Sequence, residues 1–465
     1  MSKKRRINLI VYLLLACSIS AQTKDTVYFT ELSFLKQVLE FAPLVKNAEL
    51  NIAIEQFQYQ ESRAAFEPKI AGEYDFKKFD DKTYYNKLQS GLKVNTPIGV
   101  KVNGGYVNNS GVYLNPENNL PTQGLAYAGI EIPLGAGLLT DAERFNVKQQ
   151  KLEVDAASLL YRLQANQYMF DAATAYWEWY GSSLNLSLAE EAVERVESRY
   201  SFVMSRYRIG EAAAVDTLEA YINLQNRRAY MLDVQVKWFK SNAYLRNFIW
   251  LPNYKNETIT SIADLDLEVK FLDSSLSQNL VERHPLVQLI ENDSLINYAG
   301  IRLAKEYFKP QVDLSLKLQE DVGELSGFDY AFDRNQYVGL NMYMPLFLRK
   351  ERAKVKQLET KQEMLVNKKA ETFVKIRNDL DIAITNTLTL YQSVSLWQNI
   401  TENYNQLLVA EQTKFNLGES SLFILNNREL KWIDSREKFI KDYVDYRLHA
   451  LRYYYTLALL PEFTF

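Results

Sequence analysis

Cysteine and histidine are almost missing from this chain, which has one cysteine, Cys17, and two histidines, His284 and His449, in 465 residues. A lone cysteine forms no internal disulfide. The histidines sit in no spacing that a metal ion or a base-activated nucleophile needs, and they read as solvated or packed side chains. No catalytic residue, cofactor or metal is expected. Long apolar runs are missing too. The one near the start, residues 7–16, is shorter than the roughly 20 residues a helix needs to cross a bilayer, and none later is longer. Positive charge is not in excess: removing residues 1–21 takes four of 54 basic residues, leaving 50 against 57 acidic, a net charge of −7. That balance argues against nucleic acid as a partner. Gly135-Ala136-Gly137 lacks the third glycine and the lysine of a phosphate loop and reads as a strand-to-helix turn near Pro133. Asp80-Asp81 reads as a solvent-facing hairpin loop, with no pocket framing it as a carboxylate pair.

The start of the chain does carry information. Lys3, Lys4, Arg5 and Arg6 precede the apolar run and then small residues up to Ala21, the layout of a secretion signal over residues 1–21. Ala21 before Gln22 suits ordinary cleavage, while Leu14-Leu15-Ala16-Cys17 also resembles a lipobox, so lipidation of Cys17 stays open.

The rest of the chain is written twice. FAPLVKNAELNIAIEQFQYQESRAAFEPKI, residues 41–70, aligns without a gap on RHPLVQLIENDSLINYAGIRLAKEYFKPQV, residues 283–312. Pro43 pairs with Pro285 and Pro68 with Pro310, each 242 apart, whereas Arg144 pairs with Arg352 and Gly210 with Gly418, each 208 apart. The whole difference, 242 − 208 = 34 residues, therefore lies between Pro68 and Arg144. Repeat one spans residues 22–252, a linker 253–275, and repeat two 276–465.

Spacing preserved over a long stretch is what a helix requires, since one inserted residue turns every later side chain by about 100°. Residues 141–208 and 350–416 contain no proline, are rich in helix formers, and place apolar residues three or four apart, as at Leu152, Ala156, Leu159 and Leu163. A second helix follows each glycine, over about 212–250 and 420–459, making two long antiparallel hairpins.

Ahead of them lie alternating segments. Val312, Leu314, Leu316 and Leu318 oppose Asp313, Ser315, Lys317 and Gln319, and a partner runs over residues 337–344. The first repeat has its own pair over 70–78 and 125–134, and its extra residues add alternating runs at 88–94 and 100–106, which suit either added barrel strands or an extracellular extension. Strands with one apolar and one polar face suit a lipid-facing barrel with a wet lumen, and 31 Tyr and 23 Phe can supply aromatic girdles. Four to six strands per chain are too few to close, and open edges are not tolerated in hydrocarbon, so several copies must share one barrel. A fold mainly α, with a membrane β-barrel built by copies of a duplicated strand-pair plus long helical hairpin, is expected. The helices alone would equally suit an extended periplasmic adaptor or coiled-coil tether, and scattered carboxylates alone a secreted hydrolase.

The order short helix, proline, helix, strand pair, long helix, glycine tip and helix, present twice, resembles the TolC family of outer-membrane efflux proteins over essentially the whole mature chain. YRIGEAAAVDTLEA from Tyr207 and FNLGESSLFILNNREL from Phe415 look like that family's turns. The resemblance implies a homotrimer sharing a twelve-stranded barrel in outer-membrane lipid and a helical tube in the periplasm. It also implies helix tips that meet a periplasmic adaptor protein, and an inner-membrane pump that supplies the energy. The implied adaptor-contacting residues are Tyr207, Arg208, Ile209, Gly210, Glu211 and Asp216 in the first tip and Phe415, Asn416, Leu417, Gly418 and Glu419 in the second. One departure stands out: the family often has aspartates six and nine residues after the second glycine, and here those positions are Ile424 and Asn427, while Asp216 matches in the first tip. No aspartate ring is assigned to the second hairpin.

Overall fold

A computed structural model describes residues 26–250, 258–261, 271, 274–324 and 335–462. The expected signal segment with Cys17, and most of the expected linker, lie outside the described residues. The chain divides into two compact units, one of residues 1–46, 165–273 and 378–465 and the other of residues 47–164 and 274–377.

The helices follow the sequence pattern closely. In the first repeat α1 (Glu31–Phe41) and α2 (Pro43–Arg63) are separated at Pro43, and the hairpin consists of α3 (Ala142–Arg208) and α4 (Ala214–Leu245). In the second, α5 (Ser274–Glu282) and α6 (Pro285–Glu306) precede α7 (Arg349–Leu417) and α8 (Leu422–Thr456). Proline opens α2 and α6 because the first turn of a helix needs no N–H from it. His284 has a definite task here: it is buried and caps α6, its Nδ1 accepting from the Leu286 N–H at 3.2 Å.

In the first unit the hairpins are antiparallel, as the pairs Glu197–Arg228 (2.6 Å) and Ser183–Trp238 (3.1 Å) show for α3 and α4, and Ser393–Asp442 (2.5 Å) for α7 and α8. α3 also runs antiparallel to α8, with Trp177 edge-on to Tyr443 at 5.8 Å and Phe170 against Tyr455 at 4.7 Å. α1 is tied to both: Glu31 accepts from the Trp177 indole at 2.9 Å and from Arg447 at 2.6 Å, while Phe34 stacks on Tyr176. Burial among these rings pushes the Tyr443 hydroxyl up to about 12, because the phenolate would lose its hydration. A short parallel pair joins β1 (Thr26–Phe29) to β6 (Thr258–Ser261).

The second unit holds one six-stranded antiparallel sheet. Its strands are β2 (Lys69–Phe79), β3 (Lys82–Asn95), β4 (Lys101–Ser110), β5 (Leu125–Pro133), β7 (Gln311–Asp321) and β8 (Gln336–Tyr343), in the order β2-β3-β4-β5-β7-β8. The repeat offset of 242 carries β2 onto β7 residue for residue, and β3 and β4 are the strands that the longer first repeat inserts. The first repeat thus supplies four strands rather than a pair. Asp80 and Asp81, both with positive φ, form the two-residue turn between β2 and β3, with Asp81 paired to Lys78 at 3.0 Å. Gly135-Ala136-Gly137 is indeed a turn. Its backbone closes on the strand beside it, Ala136 N–H donating to the Pro310 carbonyl at 2.9 Å, and a Cβ on Gly135 would collide with that same carbonyl.

Cross-strand register puts residues of one character on one side. Ile70, Tyr74 and Phe76 of β2, Leu88, Leu92 and Val94 of β3, Val102 and Tyr106 of β4, Ala128 and Ile130 of β5, Leu314 and Leu316 of β7 and Val338 and Leu340 of β8 share a face. The opposite face carries Glu73, Gln89, Lys93, Asn103, Glu131 and Lys317, which border a hollow of ≈ 330 Å³. Among the described residues no helix is long and apolar enough to cross a membrane.

Candidate functional site at the paired helix tips

The two tips are the same turn made twice. Gly210 has φ 85° and Gly418 φ 79°, a region where a Cβ is penalised. In the first, the Gly210 N–H donates to the Tyr207 carbonyl at 3.0 Å and the Glu211 N–H to Arg206 at 2.8 Å; in the second, Gly418 donates to Phe415 at 3.1 Å and Glu419 to Lys414 at 2.9 Å. These paired bonds form a Schellman motif, which satisfies the last carbonyls of each long helix. The restarting helices are capped differently. Asp216 accepts from the Ala213 N–H at 3.2 Å, so its carboxylate is engaged in holding the first turn of α4. Ser421 accepts from the Ile424 N–H at 3.4 Å at the start of α8.

Most expected tip residues are solvent-facing. Ile209 and Leu417 are each 70 % exposed, and Tyr207, Arg208, Gly210, Glu211, Asn416, Gly418 and Glu419 are exposed around them. Phe415 is not. It is 7 % exposed and packs in a core with Leu408, Leu422 and Leu425, its ring 6.0 Å from Phe202. The reason is periodicity: Leu408, Phe415, Leu422 and Leu425 fall on the seam between hairpins, and the aromatic of the second turn faces inward. Phe415 therefore anchors its tip rather than offering surface.

Behind the tips lies a polar cluster that sequence reading did not find. Arg199 of α3 donates to Glu429 of α8 at 2.7 Å and to the Asn426 side chain at 2.9 Å, and Asn223 of α4 donates to the same Asn426 oxygen at 2.8 Å. The ion pair is buried, with side chains 3 % and 0 % exposed. Beside it the Arg195 guanidinium lies 4.9 Å above the Trp432 ring. The signal was present, since Leu422, Leu425, Glu429 and Trp432 recur at three and four residues and Glu429 alone breaks the apolar seam. Neither histidine lies in this region's bonding, and among the described residues no group of three or more His, Cys, Asp or Glu could hold a metal ion.

The arrangement fixes two exposed turns on a four-helix base. Residues 34–249, the first repeat, match the family described as Outer membrane efflux protein. No curated protein is a significant sequence match. In fold, the chain is similar to the CmeC outer membrane channel of Campylobacter jejuni, with TM-score 0.69 and 12 % identity over 92 % of this chain and 85 % of that one. It is similar to the MtrE outer membrane channel of Neisseria gonorrhoeae in its open state, with TM-score 0.69 and 15 % identity over 92 % and 88 %. The outer membrane protein VceC of Vibrio cholerae gives TM-score 0.63 and 15 % identity over 92 % and 96 %. These likenesses extend the fold through both repeats, and the first repeat matches the outer membrane efflux protein family.

Proposed function

We propose that three copies of this chain form a passive outer-membrane conduit of a tripartite efflux or export system. In this reading the strands stand in lipid, the long hairpins stand in the periplasm, and the tips engage an adaptor protein coupled to an inner-membrane pump. The observation that carries it is the sheet: an apolar face runs across all six strands, and among the described residues the outer strands β2 and β8 each lack a partner on one side. Hydrocarbon cannot satisfy such edges, so neighbouring copies must. A helical seam supports the same association. On α4, Val215, Leu218, Ile222, Leu232, Val236 and Phe239 follow heptad spacing and are all exposed, as an unmated coiled-coil stripe would be.

A coiled-coil tether has no use for a lipid-compatible sheet, and the family that the first repeat matches is described as outer membrane efflux proteins. The test is cellular and biochemical together. Outer-membrane extracts should contain the chain as a heat-sensitive trimer, and deleting the gene should sensitise cells to toxic small molecules. A monomer found in the soluble periplasmic fraction would rule the proposal out.

A further inference from the structure

The inserted strands β3 and β4 sit in the middle of the sheet, and their placement bears on how wide the assembled barrel is. A hairpin projecting from a four-stranded sheet would leave β2 paired with β5. Instead β2 pairs with β3 over its whole length, β3 with β4 from Asn86–Ser110 to Asn95–Lys101, and β4 with β5 from Lys101–Glu131 to Val107–Leu125. No route across the sheet bypasses the inserted pair.

The faces of β3 and β4 match those of the other strands. Leu88, Leu92, Val94 and Val102 continue the apolar side, and Gln89, Lys93, Lys101 and Asn103 the polar one. Side chains cross the junctions as well. Lys101 of β4 pairs with Glu131 of β5 at 2.6 Å on the polar side. Tyr127 of β5 lies over the facing glycines of the inserted pair: a Cβ on Gly91 would come within 2.9 Å of its hydroxyl. Such a ring covering cross-strand glycines is how a bare stretch of sheet is filled. Lys317 of β7 then sits over the rings of Tyr127 and Tyr337, 5.5 Å from each. At the loop end, Phe79, Tyr84 and Tyr113 cluster, with Tyr84 and Tyr113 4.6 Å apart, an aromatic belt that includes β3.

We infer that all six strands of each copy stand in the barrel wall, so that three copies close three times six, or eighteen, strands rather than the twelve that the resemblance implied. This rests on the three-copy reading above. Six is an even number, so in this antiparallel sheet β2 and β8 run in opposite directions, and β2 of one copy meets β8 of the next with alternation unbroken. The 11-residue strands β2 and β7, at about 3.3 Å per residue and tilted about 40°, rise roughly 28 Å, against an outer-membrane barrel's apolar band of about 25 Å, while the 9-residue β5 and 8-residue β8 rise roughly 20–23 Å. Circumference is strand number times the spacing of about 4.8 Å over the cosine of the tilt. Eighteen strands then enclose about 36 Å between backbone walls, against about 24 Å for twelve. The lumen at the level of the sheet would therefore not be what restricts a small cargo.

The test uses the assembled full chain in lipid nanodiscs, with its mass measured in the same sample. Spin labels at Leu92→Cys, Val94→Cys and Val102→Cys should collide with dissolved oxygen, and labels at Gln89→Cys, Lys93→Cys and Asn103→Cys with a water-soluble paramagnetic reagent. Gly72→Cys, combined in turn with Val338→Cys, Leu340→Cys and Met342→Cys, should give a disulfide-linked ladder ending at three chains for at least one pair. If both label sets meet the aqueous reagent equally in a three-chain particle, β3 and β4 lie outside the wall and this inference fails while the conduit reading stands. It fails in the same way if no pair gives a ladder. A particle with another number of chains overturns the three-copy reading itself, and the count of eighteen with it.

Discussion

At the scale of single residues, Arg199 and Glu429 are the most exacting pair in the first unit. Each is buried, and each depends on the other for most of its charge compensation. Glu429→Ala would leave a guanidinium in the interior with only the Asn426 oxygen to meet it, a change expected to cost about 3–5 kcal/mol. Exchanging both partners for apolar residues of similar volume, Arg199→Met with Glu429→Leu, should cost far less, because no orphaned charge remains. Unfolding midpoints of the purified assembly, single variants against the double, check this. His449 gives a second test. Burial, and then the nearby Arg452, hold its pKa below the ordinary 6.5. Below pH 6.5 the unfolded chain therefore takes up a proton that the folded chain resists, and stability falls with pH until the folded value is passed. Melting followed from pH 7 to pH 5 should show a smaller decline for His449→Gln than for the unsubstituted protein; equal declines would mean His449 contributes nothing. These residue roles were the least readable from sequence. Phe415 and Glu429 each owe their task to a neighbour distant in the chain, Phe202 and Arg199, and periodicity says only which side of a helix they occupy.

At the scale of elements, sequence was a far better guide, since helix and strand are set by local spacing. The long helices fell within one or two residues of the proline-free stretches and most strands close to the alternating runs, but β3 starts six residues before the run at 88–94 and β4 ends four after the run at 100–106. Equal length is the feature most open to test. Gly210 lies 66 positions after Arg144 and Gly418 66 positions after Arg352, and both helices end in the same hydrogen-bonded turn. Inserting one alanine into α3 between Glu194 and Arg199 would advance its tip by about 1.5 Å and rotate it by about 100° relative to α8. That rotation would carry Arg199 or Phe202 off the seam shared with Glu429 and Phe415. Transport should be lost while far-UV circular dichroism stays helical. Full drug resistance in cells carrying the insertion would show that the two turns need not be in step.

At the scale of the whole molecule, the expectation from sequence is incompleteness, and the proposed association would use the sheet edges and the exposed α4 stripe. A chain that left the α4 stripe wet would expose a row of large apolar side chains, each worth about 1.5–3 kcal/mol when fully buried. The number of strands was not readable in the same way, because alternation marks a strand but not whether it joins the sheet of its neighbours. Only cross-strand register answers that. The stripe and the sheet edges make separable demands on association, and substitution can distinguish them. Leu232→Lys with Val236→Lys places two charges on the α4 seam without touching the turns, the Arg199 cluster or the sheet. If the helical seam holds the copies together, the proposed trimer should dissociate at a markedly lower temperature, with the separated chain still helical. If the sheet edges alone govern assembly, the trimer should survive unchanged, and the exposed stripe on α4 would have to face something other than a second copy of this chain.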